Sequence, residues 1–117
     1  MAFKTPRGTT DILPEDQAYW SSIWGTAEQV AASFGVGRID TPMFEDTSLF
    51  RHGVGEKTDI VEKEMYSFED LGGDSITLKP EGTAPVCRAY IQHGMANLPQ
   101  PVRLFYENPH FRYERPQ

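Results

Sequence analysis

The residues best suited to chemistry stand in two short runs. Near the C-terminus, Phe111-Arg112-Tyr113-Glu114-Arg115-Pro116-Gln117 puts an arginine and a glutamate two positions apart. On a strand that spacing places both side chains on one face. A guanidinium is planar and always charged, and its fork holds a phosphate through two parallel hydrogen bonds. The plain alternative is a surface Arg/Glu pair, worth little energetically. Upstream, Thr77-Leu78-Lys79-Pro80-Glu81-Gly82-Thr83-Ala84 offers a carboxylate and a hydroxyl. Glu81 and Thr83 are also what a helix start selects. The two uses are compatible, because a helix N-terminus is a natural place for polar ligand groups.

Other chemistries find less support. Cys87 is the only cysteine, so no intrachain disulfide can form. His52, His93 and His110 are far apart and have no cysteine companions, so no metal-ligand spacing is present and zinc is not expected. The net charge of −6 argues against a broad nucleic-acid footprint on this chain, since phosphate binding shows as excess Lys and Arg. The opening Met1–Gly8 lacks the apolar core of a signal peptide, and no run is long enough to span a bilayer. The default expectation is a cytoplasmic protein.

These groups need a scaffold, and 117 residues with 12% aromatics can supply one modest core. Pro14, followed by Glu15 and Asp16, suits a helix start. Trp20, Ile23, Trp24, Ala27, Val30, Ala31 and Phe34 then recur at three- and four-residue steps, and Gly35 fits a C-terminal cap. Val36–Thr41 reads as a strand stopped by Pro42, and Thr47 as the cap of a short helix through Arg51. Glu56–Glu64 reads as a charged loop. Residues 65–68 and 75–78 flank Asp70-Leu71-Gly72-Gly73-Asp74 as a β-hairpin. Gly82–Gly94 reads as a second helix packing through Ala84, Val86, Ala89, Tyr90 and Ile91. Val102–Glu107 reads as a strand that His110–Glu114 continues. The expected fold class is α+β, an antiparallel sheet with flanking helices. The last strand has no following partner, so its edge is bare and the chain looks cut.

Four segments in order resemble the histidyl-tRNA synthetase family of class II aminoacyl-tRNA synthetases. The long helix with Phe34-Gly35-Val36-Gly37-Arg38-Ile39-Asp40-Thr41-Pro42 (residues 15–42) resembles motif 1, which in the family builds a dimer interface; alone, a helix-Gly-strand-Pro pattern is common. Residues 102–117 resemble the start of motif 2. The stretch from Gly53 to Tyr66 and the run from Thr77 to Ala84 complete the match. Asn108 departs from the glycine more usual before that proline.

The resemblance implies a partial class II catalytic domain over residues 1–117. It implies that Arg112 is catalytic, contacting the α-phosphate of ATP and the amino-acid carboxylate. Glu114 would read the adenine amino group, and Glu81 with Thr83 would receive the histidine α-amino group. ATP with Mg2+, histidine and tRNA-His would be the substrates, with a homodimer formed through motif 1 and most of the tRNA surface elsewhere. The remainder of motif 2, motif 3, the imidazole pocket and the metal ligands would lie beyond Gln117, leaving this stretch inactive by itself. Two other readings stand beside this one. One is a regulatory subunit of ATP phosphoribosyltransferase, which shares the fold and binds histidine without charging tRNA. The other is a piece that only self-associates.

Overall fold

The computed structural model describes residues 2–54 and 64–114. They fall into two compact units, the first ending at Gly37 and the second running from Arg38 to Glu114. The loop expected over Glu56–Glu64 lies almost entirely outside the described residues.

The first unit is built on helix α1, Pro14–Ser33. Proline stands at its first turn with Glu15 and Asp16, where a missing N–H costs nothing and negative charge faces the positive end of the helix dipole. Gly35 terminates it at φ +68°. Its N–H bonds to Ala32 O at 3.1 Å while Val36 N–H reaches back to Ala31 O at 2.8 Å, the pairing of a Schellman cap. No residue of α1 is buried. Trp20 and Trp24 pack on each other with centroids 5.6 Å apart, yet remain 38% and 39% exposed.

In the second unit, β2 (Phe44–Asp46), β3 (Ser67–Glu69) and β4 (Ser75–Leu78) form an antiparallel sheet with β4 in the centre. The hairpin register is Ser67↔Thr77, Phe68↔Ile76 and Glu69↔Ser75, and Phe44↔Leu78 sets the other edge. Asp70 organises the hairpin turn by accepting the Gly72 and Asp74 N–H groups on Oδ1, both at 2.9 Å. Helix α2 (Thr47–Val54) and helix α3 (Thr83–Gln92) pack together, and α2 also packs on the sheet. Among the described residues, Phe50, Thr77, Lys79, Pro80 and Pro85 are the largest fully buried side chains. Ser67, Thr77, Thr47 and Ser75 form a chain of hydroxyls at 2.7–2.8 Å, so the buried threonines are satisfied.

The antiparallel α+β architecture agrees with the sequence, while several local expectations are corrected. The cap of α2 is Asp46, whose Oδ1 accepts from Ser48 N at 2.8 Å and Ser48 Oγ at 2.5 Å; these bonds hold its carboxyl below the usual range. Thr47 is inside the helix and spends its hydroxyl on the buried chain instead. Ile91 is exposed and Pro85 takes a core place. The strand expected over residues 36–41 contracts to β1, Gly37–Arg38, and that over 102–107 to β5, Leu104–Phe105, linked by Ile39 N to Phe105 O at 3.0 Å. Residues 110–113 carry no regular structure. Their edge is not bare, because Phe111 N–H bonds to Lys79 O at 2.9 Å and Tyr113 N–H to Glu64 O at 2.7 Å.

Candidate functional site

The site grows from the end of the central strand. Beyond Leu78, Lys79 and Pro80 stay fully buried and carry the chain to Glu81 at the head of α3. The Glu81 carboxylate accepts from Thr83 N on one oxygen at 2.6 Å and from Ala84 N on the other at 3.0 Å. It therefore caps the helix, satisfying two N–H groups that have no partner within the helix. Thr83 opens α3 and is exposed.

The segment after β5 returns to this helix head. Tyr106 lies over Gly82, which is buried and has no room for a side chain. The Tyr106 ring is also 6.3 Å from His110, centroid to centroid. Phe111 is held by Lys79 O, and Tyr113 sets its ring edge-on to Tyr66 at 6.1 Å. Arg112 and Glu114 are half-exposed, with Nη2 to Oε1 at 3.6 Å. They meet through a tight bend, in which Glu114 N–H bonds to Arg112 O at 3.1 Å, and not as neighbours on a strand face.

His110 is near enough to Lys79, Glu81 and Arg112 to feel the charge of each. Partial burial lowers the His110 pKa, Lys79 lowers it further, Glu81 opposes, and Arg112 adds to the lowering. His110 remains open to solvent, which screens these interactions. Lys79 is the buried cation of the site. Its Nζ donates to Thr41 O at 3.3 Å and Thr41 Oγ1 at 3.2 Å. Burial lowers its pKa, while Glu45 and Asp40 raise it. Glu45 in turn pairs with Arg88 on α3 at 2.8 Å.

The structure thus brings Glu81, Thr83 and the Arg112–Glu114 pair to linked segments of one unit. Sequence reasoning missed Lys79, Tyr106 and His110. A signal for Lys79 existed, since it follows the inward-facing Thr77 by two and shares its side of the strand. Asn108, the departure noted above, has both amide atoms buried with no hydrogen-bond partner among the described residues. Among the described residues no cluster of His, Cys, Asp and Glu could hold a metal ion, and no helix is long and apolar enough to cross a membrane.

This geometry has close counterparts. The family described as histidyl-tRNA synthetase matches residues 8–117. A protein of Dehalococcoides mccartyi named histidine–tRNA ligase is 60% identical over 115 residues, which are 98% of this chain and 28% of that protein. The crystal structure of apo S. aureus histidyl-tRNA synthetase superposes with a TM-score of 0.83 at 44% identity, covering 96% of this chain and 30% of the other. A Bacillus halodurans structure described as an ATP phosphoribosyltransferase regulatory subunit/histidyl-tRNA synthetase gives 0.79 at 25% identity, over 99% and 30%.

Proposed function

The chain belongs to the histidyl-tRNA synthetase family, and we propose on that premise that the protein it contributes to is an ATP-dependent histidine–tRNA ligase. The chain spans 28% of the ligase it matches, and the activity proposed is that of the whole protein.

Two steps make up the reaction. The histidine carboxylate attacks the α-phosphorus of ATP, forming histidyl-adenylate and releasing pyrophosphate. A terminal ribose hydroxyl of tRNA-His then takes the aminoacyl group and AMP leaves. Catalysis on this scaffold is positioning and charge stabilisation rather than proton transfer. Arg112 would bridge the histidine carboxylate and the α-phosphate, where its fork stabilises the growing negative charge. Glu114 would accept from the adenine amino group. Glu81 and Thr83 would receive the α-ammonium of histidine, with Glu81 capping α3 at the same time. Mg2+ would accompany the ATP phosphates, and the chemistry it supplies there is charge neutralisation. The exposed, half-paired guanidinium of Arg112 suits such an anion.

The observation that carries the reading is the backbone bond from Phe111 N to Lys79 O. It brings the segment bearing Arg112 alongside the segment bearing Glu81, so one residue for phosphate and one for an amine are presented from adjoining backbone. A homodimer formed through the exposed tryptophan face of α1 belongs to the same proposal, as does a cytoplasmic location. The chain's acidity supports a tRNA surface that would lie mostly elsewhere in the protein. The regulatory-subunit reading has less behind it, because the 60% identical relative is a named ligase.

Histidine-dependent ATP–pyrophosphate exchange, followed by charging of tRNA-His, tests the proposal in the full-length protein. Exchange with histidine and no other amino acid is the expected result. Histidine binding without exchange would instead support the regulatory subunit.

A further inference from the structure

Lys79 has no part in the chemistry above, yet its burial is complete. A leucine or methionine would fill this buried position without taking an ammonium out of water, a costly step unless the group is well partnered. Here every polar group of the residue is used. Its N–H bonds to Met43 O at 2.9 Å, its carbonyl accepts from Phe111 N at 2.9 Å, and Nζ reaches both oxygens of Thr41. Three segments thus meet at one residue: Thr41–Met43, the Phe111–Arg112 stretch and the Pro80–Glu81 link. Pro80 is fully buried and its φ is locked by the ring, so the position of Glu81 follows closely from that of Lys79. Arg112 follows closely too, one residue beyond the N–H that Lys79 O accepts. The carboxylates of Asp40 and Glu45 offset the charge that burial opposes.

We infer that Lys79 is a positioning residue for the site, its side chain anchoring to Thr41 the junction that sets the separation between Glu81 and Arg112. The inference rests on the ligase reading. A wrong separation should damage the transition state that spans the amino acid and the phosphate more than it damages the binding of either substrate alone. It acts on kcat as well as on KM.

The experiment uses the full-length protein carrying Lys79→Met, which keeps the stem and loses the donors, and Lys79→Arg, which restores a cation with donors. Pyrophosphate exchange is measured with histidine and ATP varied separately, below the thermal transition of each variant. For Lys79→Met we expect kcat to fall about tenfold or more, since small misplacements of reacting groups carry penalties of this size, with recovery of part of the loss in Lys79→Arg. Thr41→Val, which removes one acceptor, should shift kcat in the same direction by less, and it serves if Lys79→Met does not fold. A lowered melting temperature with unchanged kcat in the methionine and valine variants would assign Lys79 to the fold alone and overturn the inference. Absence of exchange in the unsubstituted protein would refute the ligase reading itself, a result separable from the other.

Discussion

The ring of Tyr106 rests directly on Gly82: a β-carbon at Gly82 would lie 2.2 Å from Tyr106 Cε2 and 2.8 Å from Cζ. The head of α3, where Glu81 sits, is thereby packed against the segment that leads to Arg112. Gly82→Ala would force the ring to move. We expect a loss of about 1–3 kcal/mol, the usual range for overpacking, read by urea unfolding of the full-length protein. Gly82→Ala combined with Tyr106→Leu should be less destabilised than the sum of the two single changes, because the clash needs both partners. Strict additivity would mean that the ring swings aside freely.

Glu81 is expected to have two separable effects. Glu81→Gln keeps one acceptor oxygen for the helix head and loses the charge. Stability should fall by about 0.5–2 kcal/mol, as for other lost caps. The apparent KM for histidine in pyrophosphate exchange should rise severalfold as the ammonium loses its partner. A lower melting temperature with an unchanged KM would leave Glu81 as a cap only.

Arg112→Ala should lower the rate of histidyl-adenylate formation by about 10²–10³-fold, the effect of removing one preorganised donor to a developing oxyanion. ATP affinity should change far less. Arg112→Lys should recover little, since a point charge cannot reproduce two parallel bonds. Single-turnover kinetics checks this, and near-normal rates in either variant would remove Arg112 from the chemistry.

His110 should make stability depend on pH. Its folded pKa is lowered, by partial burial first and by Lys79 next, so the unfolded chain takes up the proton more readily. The contribution is fully present above the ordinary value of 6.5 and is lost as pH falls from there toward the folded value. Unfolding midpoints compared at pH 7.5 and pH 5 (set as about one unit or more on either side of the ordinary value) should differ more for the parent than for His110→Gln. An identical pH dependence in the two proteins would show that other groups control it.

The exposed face of α1 should mediate self-association. Trp20→Ser with Trp24→Ser should weaken it, while far-UV circular dichroism keeps the helix signal. Sedimentation of the full-length protein at micromolar concentration is expected to give a dimer, consistent with a two-fold interface burying these rings. An unchanged dimer in the double variant would place the interface elsewhere.

Much of this protein is legible along the chain because the relevant physics is local. Pro14, the apolar spacing through Phe34 and the left-handed Gly35 define α1 within a few residues of each position. Asp70–Asp74 likewise marks its turn without reference to anything distant. Glu81, Thr83, Arg112 and Glu114 drew attention by residue type and spacing, and by their place in a family pattern. Tertiary structure decided the rest. The strand β2 is short and acidic and takes its form from its pairing with β4. Thr47 leaves the cap to Asp46 because Thr77 and Ser75 compete for its hydroxyl. The stretch after Pro109 bends where the sequence suggested a continuing strand, and its N–H groups at Phe111 and Tyr113 go to Lys79 and Glu64, distant in sequence. Lys79 itself is polar by type and buried by circumstance, its acceptors on Thr41 being supplied by a segment 38 residues earlier. Periodicity, capping and turns are set by near neighbours and so can be read in one dimension; which groups share a buried junction depends on contacts that exist only once the chain has folded.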